Sequence, residues 1–137
     1  MAGAFLLDTC ALIWAAEDQL SEAAAASLTA ARDSGFPILV SPISAWEFGL
    51  LIARGRYSAP ISPERWFQRA TSADGVQLTE LSPEILIASS FLPGSPPRDP
   101  ADRIIAATAR ATACPVMTRD RVLLAYAEQG HIQALPC

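Results

Sequence analysis

From Asp99 to Ala109 the chain reads DPADRIIAATA. Asp99 can accept from free backbone N–H groups as an N-cap, Pro100 suits the first helical position, and Asp102 falls inside the first turn. Beyond Arg103 the run Ile104, Ile105, Ala106, Ala107, Thr108, Ala109 leaves almost nothing for water on any face, which predicts a helix buried in the interior. Asp102 then sits at the mouth of a core. Complementation of the helix dipole, worth ~0.3–1 kcal/mol, is enough to account for Asp99, read here as a cap. For Asp102 the reading turns on its neighbours, because several acids around one cavity repel each other and need a cation or raised pKa values.

The rest of the chain alternates short apolar runs with helical spacing. Phe5, Leu6 and Leu7 form a first strand ending at Asp8-Thr9, and Leu12, Ile13 and Trp14 continue as a helix. A second helix over 21–32 is capped by Ser21 and stopped at Gly35, ahead of a strand over 37–40. Ser41-Pro42 opens a helix that runs to Ala53 and stops at Gly55. Ser62-Pro63-Glu64 caps a helix carrying Trp66 and Phe67, which are read as core. Residues 76–81 alternate like a strand, and Ser82-Pro83-Glu84 caps a helix that ends near Leu92. The proline-rich loop 93–98 rims a pocket. A strand over 114–118 runs into Arg119-Asp120, followed by a helix with Val122, Leu123 and Tyr126 and a last strand over 132–135.

Strands alternating with helices imply an α/β protein, a single domain over 1–137 with a mostly parallel central sheet between two helical layers. Ligands bind outside the carboxyl ends of the strands in such sheets. Asp8 and Asp120 fall there, and Glu47 and Asp102, near helix N-termini, can open toward the same edge. Glu47 shares its helix with the apolar face of Ile43, Trp46 and Leu50. A lone charge embedded in such a stripe costs several kcal/mol unless it is paired or binds a metal. Phe48, Leu51 and Ile52 make the other side of this helix apolar as well, which marks that side as an oligomer or partner interface.

Composition excludes several chemistries. All ten basic residues are arginine, so lysine Schiff bases, P-loops and receiver-type phosphoryl transfer are absent. The single histidine, His131, lies in a turn-like Gln-Gly-His and is read as a surface residue. Cys10, Cys114 and Cys137 have no metal-site spacing and are odd in number, so neither a zinc site nor a disulfide framework is expected. No apolar run approaches the length of a membrane span and the start lacks signal-peptide features, so a cytoplasmic protein is expected. The net charge of −4 does not veto a nucleic-acid partner, because an acidic metal site accounts for several negative charges.

A hard divalent cation prefers oxygen ligands and can ionise a bound water for in-line displacement at a phosphodiester, with no need of histidine, lysine or cysteine. The motifs Leu6-Leu7-Asp8-Thr9, Ser44-Ala45-Trp46-Glu47 with Gly55 eight residues later, Asp99-Pro100-Ala101-Asp102-Arg103 and Thr118-Arg119-Asp120 occur in that order. In motifs, order and spacing the chain resembles the PIN-domain ribonucleases, and among them the VapC toxins of bacterial toxin–antitoxin pairs. The resemblance implies a Rossmann-like α/β/α domain with a Mg²⁺ or Mn²⁺ site made by Asp8, Glu47 and Asp102, with Asp120 as the fourth acid. It implies endonucleolytic cleavage of RNA, a homodimer, and a VapB-type antitoxin whose C-terminal segment blocks the site. Thr9 and Thr118 match hydroxyls that support the acids.

Four positions depart from the subgroup: Cys10 and Pro97 stand where it has histidine, Leu51 where it has lysine, and Ala101 where it has phenylalanine. These bear on the substrate groove and so on the target, more than on the chemistry. Arg98, Arg103, Arg119 and Arg121 flank the acids and are candidates for phosphate contacts. A catalytically degenerate PIN domain acting as a binding module is the alternative, against which retention of all four acids argues. A phosphatase or receiver-like domain built around Asp8-Thr9 is a third reading, and it lacks the lysine such sites place at the phosphate.

Overall fold

The computed structural model describes residues 3–137. Strand β1 (Phe5–Leu7) points Leu6 and Leu7 to opposite faces of the sheet, and each anchors a separate core. Then follow α1 (Thr9–Ala16), α2 (Glu22–Asp33), β2 (Ile38–Val40), α3 (Ile43–Ala53), α4 (Pro63–Thr71), β3 (Val76–Leu78), α5 (Pro83–Ala88), α6 (Pro100–Thr112), β4 (Val116–Thr118), α7 (Arg121–Glu128) and β5 (Ala134–Pro136). The five strands are all parallel, in the order β3-β2-β1-β4-β5. The chain builds outward from β1 through β2 and β3, then crosses back to add β4 and β5, so the strand order reverses between β1 and β4. That reversal is where an open α/β sheet leaves a crevice at its carboxyl edge.

On one face Leu7, Ile38, Val40 and Met117 pack under Leu12 of α1, Leu28 of α2 and Trp66 of α4. On the other, Leu6 and Val116 pack under Ile105 of α6 and Leu123 and Tyr126 of α7. Each large side chain so buried contributes about 1.5–3 kcal/mol. The expected three-layer α/β/α architecture is present, and α6 is the buried helix: Ala101 and every residue from Ile105 to Ala109 are out of solvent.

Several expected boundaries move, the strand over 114–118 starting only at Val116. The last strand lies at 134–136 in place of 132–135, and β3 ends at Leu78, earlier than the alternation to 81 implied. Helix α5 stops at Ala88, short of Leu92; Pro93 has no N–H to continue it, and the carbonyls of Ser89 and Ser90 accept instead from the Arg103 guanidinium at 2.8 and 3.3 Å.

The phase of α3 also differs. Ser44 and Phe48 face inward, and the Phe48 ring stacks on Trp66 with centroids 4.1 Å apart. Phe48 therefore belongs to the interior and not to a free face, while Trp46, placed in the core stripe by its spacing, is 55% exposed. A helix apolar nearly all round has no phase of its own. Here the aromatic stack and the inward serine set it.

Candidate metal centre

Asp8 follows β1 and caps α1: its Oδ1 accepts from the Ala11 N–H at 2.8 Å and its Oδ2 from the Thr118 hydroxyl. The β1–β4 register, which pairs Leu7 with Met117, carries on to set Asp8 beside Thr118. Thr118 Oγ1 in turn accepts from the Asp120 N–H at 2.9 Å, and Asp120 caps α7 through Val122 N–H. Two strand ends thus bring two acids to one side of the crevice.

Glu47 enters from α3, one turn past the buried Ser44, and accepts from the Thr9 hydroxyl. Asp102 enters from the first turn of α6. Asp99 caps that helix as expected, with Oδ2 accepting from the Asp102 N–H at 3.0 Å. It also does something that a capping role alone does not require. Glu47, Asp99 and Asp102 each offer a carboxylate oxygen, and these oxygens all lie within 4.8 Å of one another. The tightest group therefore joins two of the four expected acids with Asp99. The three-residue spacing of Asp99 and Asp102 at a helix start is the signal that could have found it.

Asp8 and Asp120 flank this group, close enough to act on it. The Asp102 carboxyl is pushed up to about 8, first by burial, then by the charges of Asp120, Asp99 and Glu47 and a hydrogen bond shared with Asp120. Burial also raises Glu47 and Asp8 above the ordinary carboxylate range, with neighbouring acids adding to the rise and the threonine hydroxyls opposing it. Cys10, exposed at the rim, registers the same field. Its thiol is pushed up to about 11 by desolvation and by Asp8, Glu47, Asp102 and Asp120 together. The four expected acids and Asp99 thus act on one another, and for Asp102 every one of these influences raises the carboxyl further.

Two of the four candidate arginines are otherwise engaged. Besides Ser89 and Ser90, Arg103 donates to the Pro97 carbonyl at 3.0 Å, so its guanidinium ties down the loop before α6. Arg119 lies 4.0 Å over the Trp14 ring and donates to the carbonyls of Gln19 and Cys137 at 3.0 and 2.8 Å. Both also work as internal clamps, each giving part of its guanidinium to backbone carbonyls. Arg98 and Arg121 are exposed at the starts of α6 and α7. His131, expected at the surface, is half-buried against Tyr126, and Cys137 is buried.

Oxygen-only donors, three of them clustered and all crowded by like charge, suit a small hard cation. Ligand oxygens on opposite sides of Mg²⁺ lie about 4.2 Å apart, given bonds of about 2.1 Å, and water commonly completes its shell. The residues present fit such an ion.

A family model for the PIN domain matches residues 5–129. Ribonuclease VapC22 of Mycobacterium tuberculosis (strain ATCC 25618 / H37Rv) is 34% identical over 123 residues, 88% of this chain and 90% of that protein. Among solved structures, VapBC2 from Rickettsia felis bound to a promoter DNA fragment aligns with a TM-score of 0.69 at 12% identity, covering 97% of this chain and 98% of that one. FitAcB from Neisseria gonorrhoeae aligns with a TM-score of 0.56 at 21% identity, covering 96% of each chain. At these identities the structural neighbours speak for the fold alone. Family match, relative and fold together make this chain a member of the PIN-domain family.

Proposed function

We propose that the chain is a Mg²⁺- or Mn²⁺-dependent endoribonuclease, the toxin of a VapBC-type pair, acting in the cytoplasm. The observation that carries this reading is the convergence of Glu47, Asp99 and Asp102 within 4.8 Å, with Asp8 and Asp120 alongside. A divalent cation bound there supplies a Lewis acid that activates water and offsets charge on the scissile phosphodiester. The chain supplies position. Ala11 N–H and Thr118 hold Asp8, Thr9 holds Glu47, and the first turn of α6 presents Asp102. Arg98 and Arg121, exposed next to Asp99 and Asp120 in the chain, and the remaining N–H groups of Arg103 and Arg119 are the cations offered to the RNA backbone.

VapC22 is named a ribonuclease, which supports RNA as substrate, and the solved neighbours named VapBC2 and FitAB support an antitoxin partner. A cavity of about 590 Å³ between α1, α2 and α4, lined by Leu12, Leu28, Tyr57 and Trp66, suits an apolar segment of that partner. Ile87 and Phe91, 62% and 81% exposed, and Trp46 on α3 supply apolar surface for a homodimer. Among the described residues no helix is long and apolar enough to cross a membrane.

The test is cleavage of a mixed RNA pool by wild type and Asp8→Asn, purified identically, each with Mn²⁺ and with excess chelator. Cutting by wild type with metal alone is the expected result. Equal cutting by the mutant would overturn the reading. Mn²⁺ binding without cutting by either protein would favour the binding-module alternative.

A further inference from the structure

A hydroxyl has one proton, so the direction of a hydroxyl chain is decided by whatever stands at its ends. On the Asp8 side the direction is plain: the Asp120 N–H donates to Thr118 Oγ1, so the Thr118 proton goes to Asp8. On the Glu47 side the group behind the threonine is another hydroxyl. Ser44 Oγ, 2.9 Å from Thr9 Oγ1, belongs to a residue with no solvent exposure. A buried hydroxyl proton needs an acceptor, and Thr9 Oγ1 is the partner within reach. Ser44 therefore donates to Thr9, and Thr9 is left with Glu47 as the target of its own proton.

We infer that Ser44 is a positioning residue for the metal centre, acting through Thr9 to hold Glu47 as a hydrogen-bond acceptor beside Asp99 and Asp102. The inference rests on the metal-site reading above. Ser44 sits on α3 one turn before Glu47, whereas Thr9 opens α1 next to Asp8, so the chain also ties together the two helices that carry the site's halves. In the reverse direction, Glu47 to Thr9 to Ser44, the Ser44 proton would be buried without a partner. The arrangement on both sides is the same: each acid receives a threonine proton, and each threonine oxygen is filled from behind. Outer-sphere hydrogen bonds of this kind are commonly worth about 10–100-fold in metal affinity.

The test is a double-mutant cycle on Mn²⁺ affinity by calorimetry, with Ser44→Ala, Thr9→Val and the double variant, and Thr9→Ser as the conservative control. Thermal unfolding in chelator reports folding separately. Ser44→Ala and Thr9→Val should each weaken Mn²⁺ binding about tenfold, the double variant should lose no more than either, and Thr9→Ser should bind as wild type. Wild-type affinity in Ser44→Ala, or losses that multiply in the double variant, would overturn the inference while leaving the metal centre standing. Absence of Mn²⁺ binding by wild type would overturn both.

Discussion

Asp99 carries two duties that one substitution can separate. Asparagine caps a helix about as well as aspartate, so Asp99→Asn keeps the bond to the Asp102 N–H and removes the charge. Its unfolding midpoint in urea should be no lower than wild type, since the cap is kept and a repelling charge is gone, while Mn²⁺ affinity falls. Loss of stability with unchanged affinity would return Asp99 to a cap alone. The capping role was legible in Asp99-Pro100, but the approach of its carboxylate to Glu47, 52 residues earlier on α3, depends on tertiary packing that no local pattern reports. Asp8 and Asp120 stood out at strand ends, Asp102 at a helix start and Glu47 as a lone charge in the apolar stripe of α3; the resemblance is what joined them into one expected site. Ser44 was quoted within a motif without a role, since a serine's partner is set by tertiary packing.

At the scale of the element, Arg103 shows how a residue beside an acid can serve the fold. Its guanidinium holds three carbonyls, those of Ser89, Ser90 and Pro97, and so fixes the segment that delivers Asp99. Arg103→Ala should cost roughly 1.5–3 kcal/mol in urea unfolding, the range for hydrogen bonds to charged groups. A surface phosphate contact would cost almost nothing in stability. The order of strands and helices could be read from alternation and caps, as could the burial of α6. The phase of α3 could not, because Phe48 and Trp46 are equally apolar and only the stack on Trp66 distinguishes them. Phe48→Ala should therefore lose about 3–5 kcal/mol, as core aromatics do.

For the whole molecule, the exposed Ile87 and Phe91 predict self-association, and sedimentation velocity should show a dimer that Ile87→Glu converts to monomer. A monomeric wild type at high concentration would remove the homodimer from the account. The acids set the pH dependence. Asp102 titrates in the folded chain at about 8 against 3.8 as its ordinary value, so between these the folded chain holds more protons than the unfolded one. The apo protein must then lose stability as pH rises through that window, with Asp8 and Glu47 contributing in the same direction. A bound cation reverses the loss by neutralising the charges that cause it.

Thermal unfolding at pH 8.5 of wild type and Asp102→Asn, in chelator and in saturating Mg²⁺, tests the metal centre most directly. The account predicts that Asp102→Asn raises the apo Tm, because a repelled carboxylate is gone, and that Mg²⁺ raises the Tm of wild type but not of the mutant. A mutant less stable than wild type in chelator, or one that Mg²⁺ stabilises equally, would contradict it.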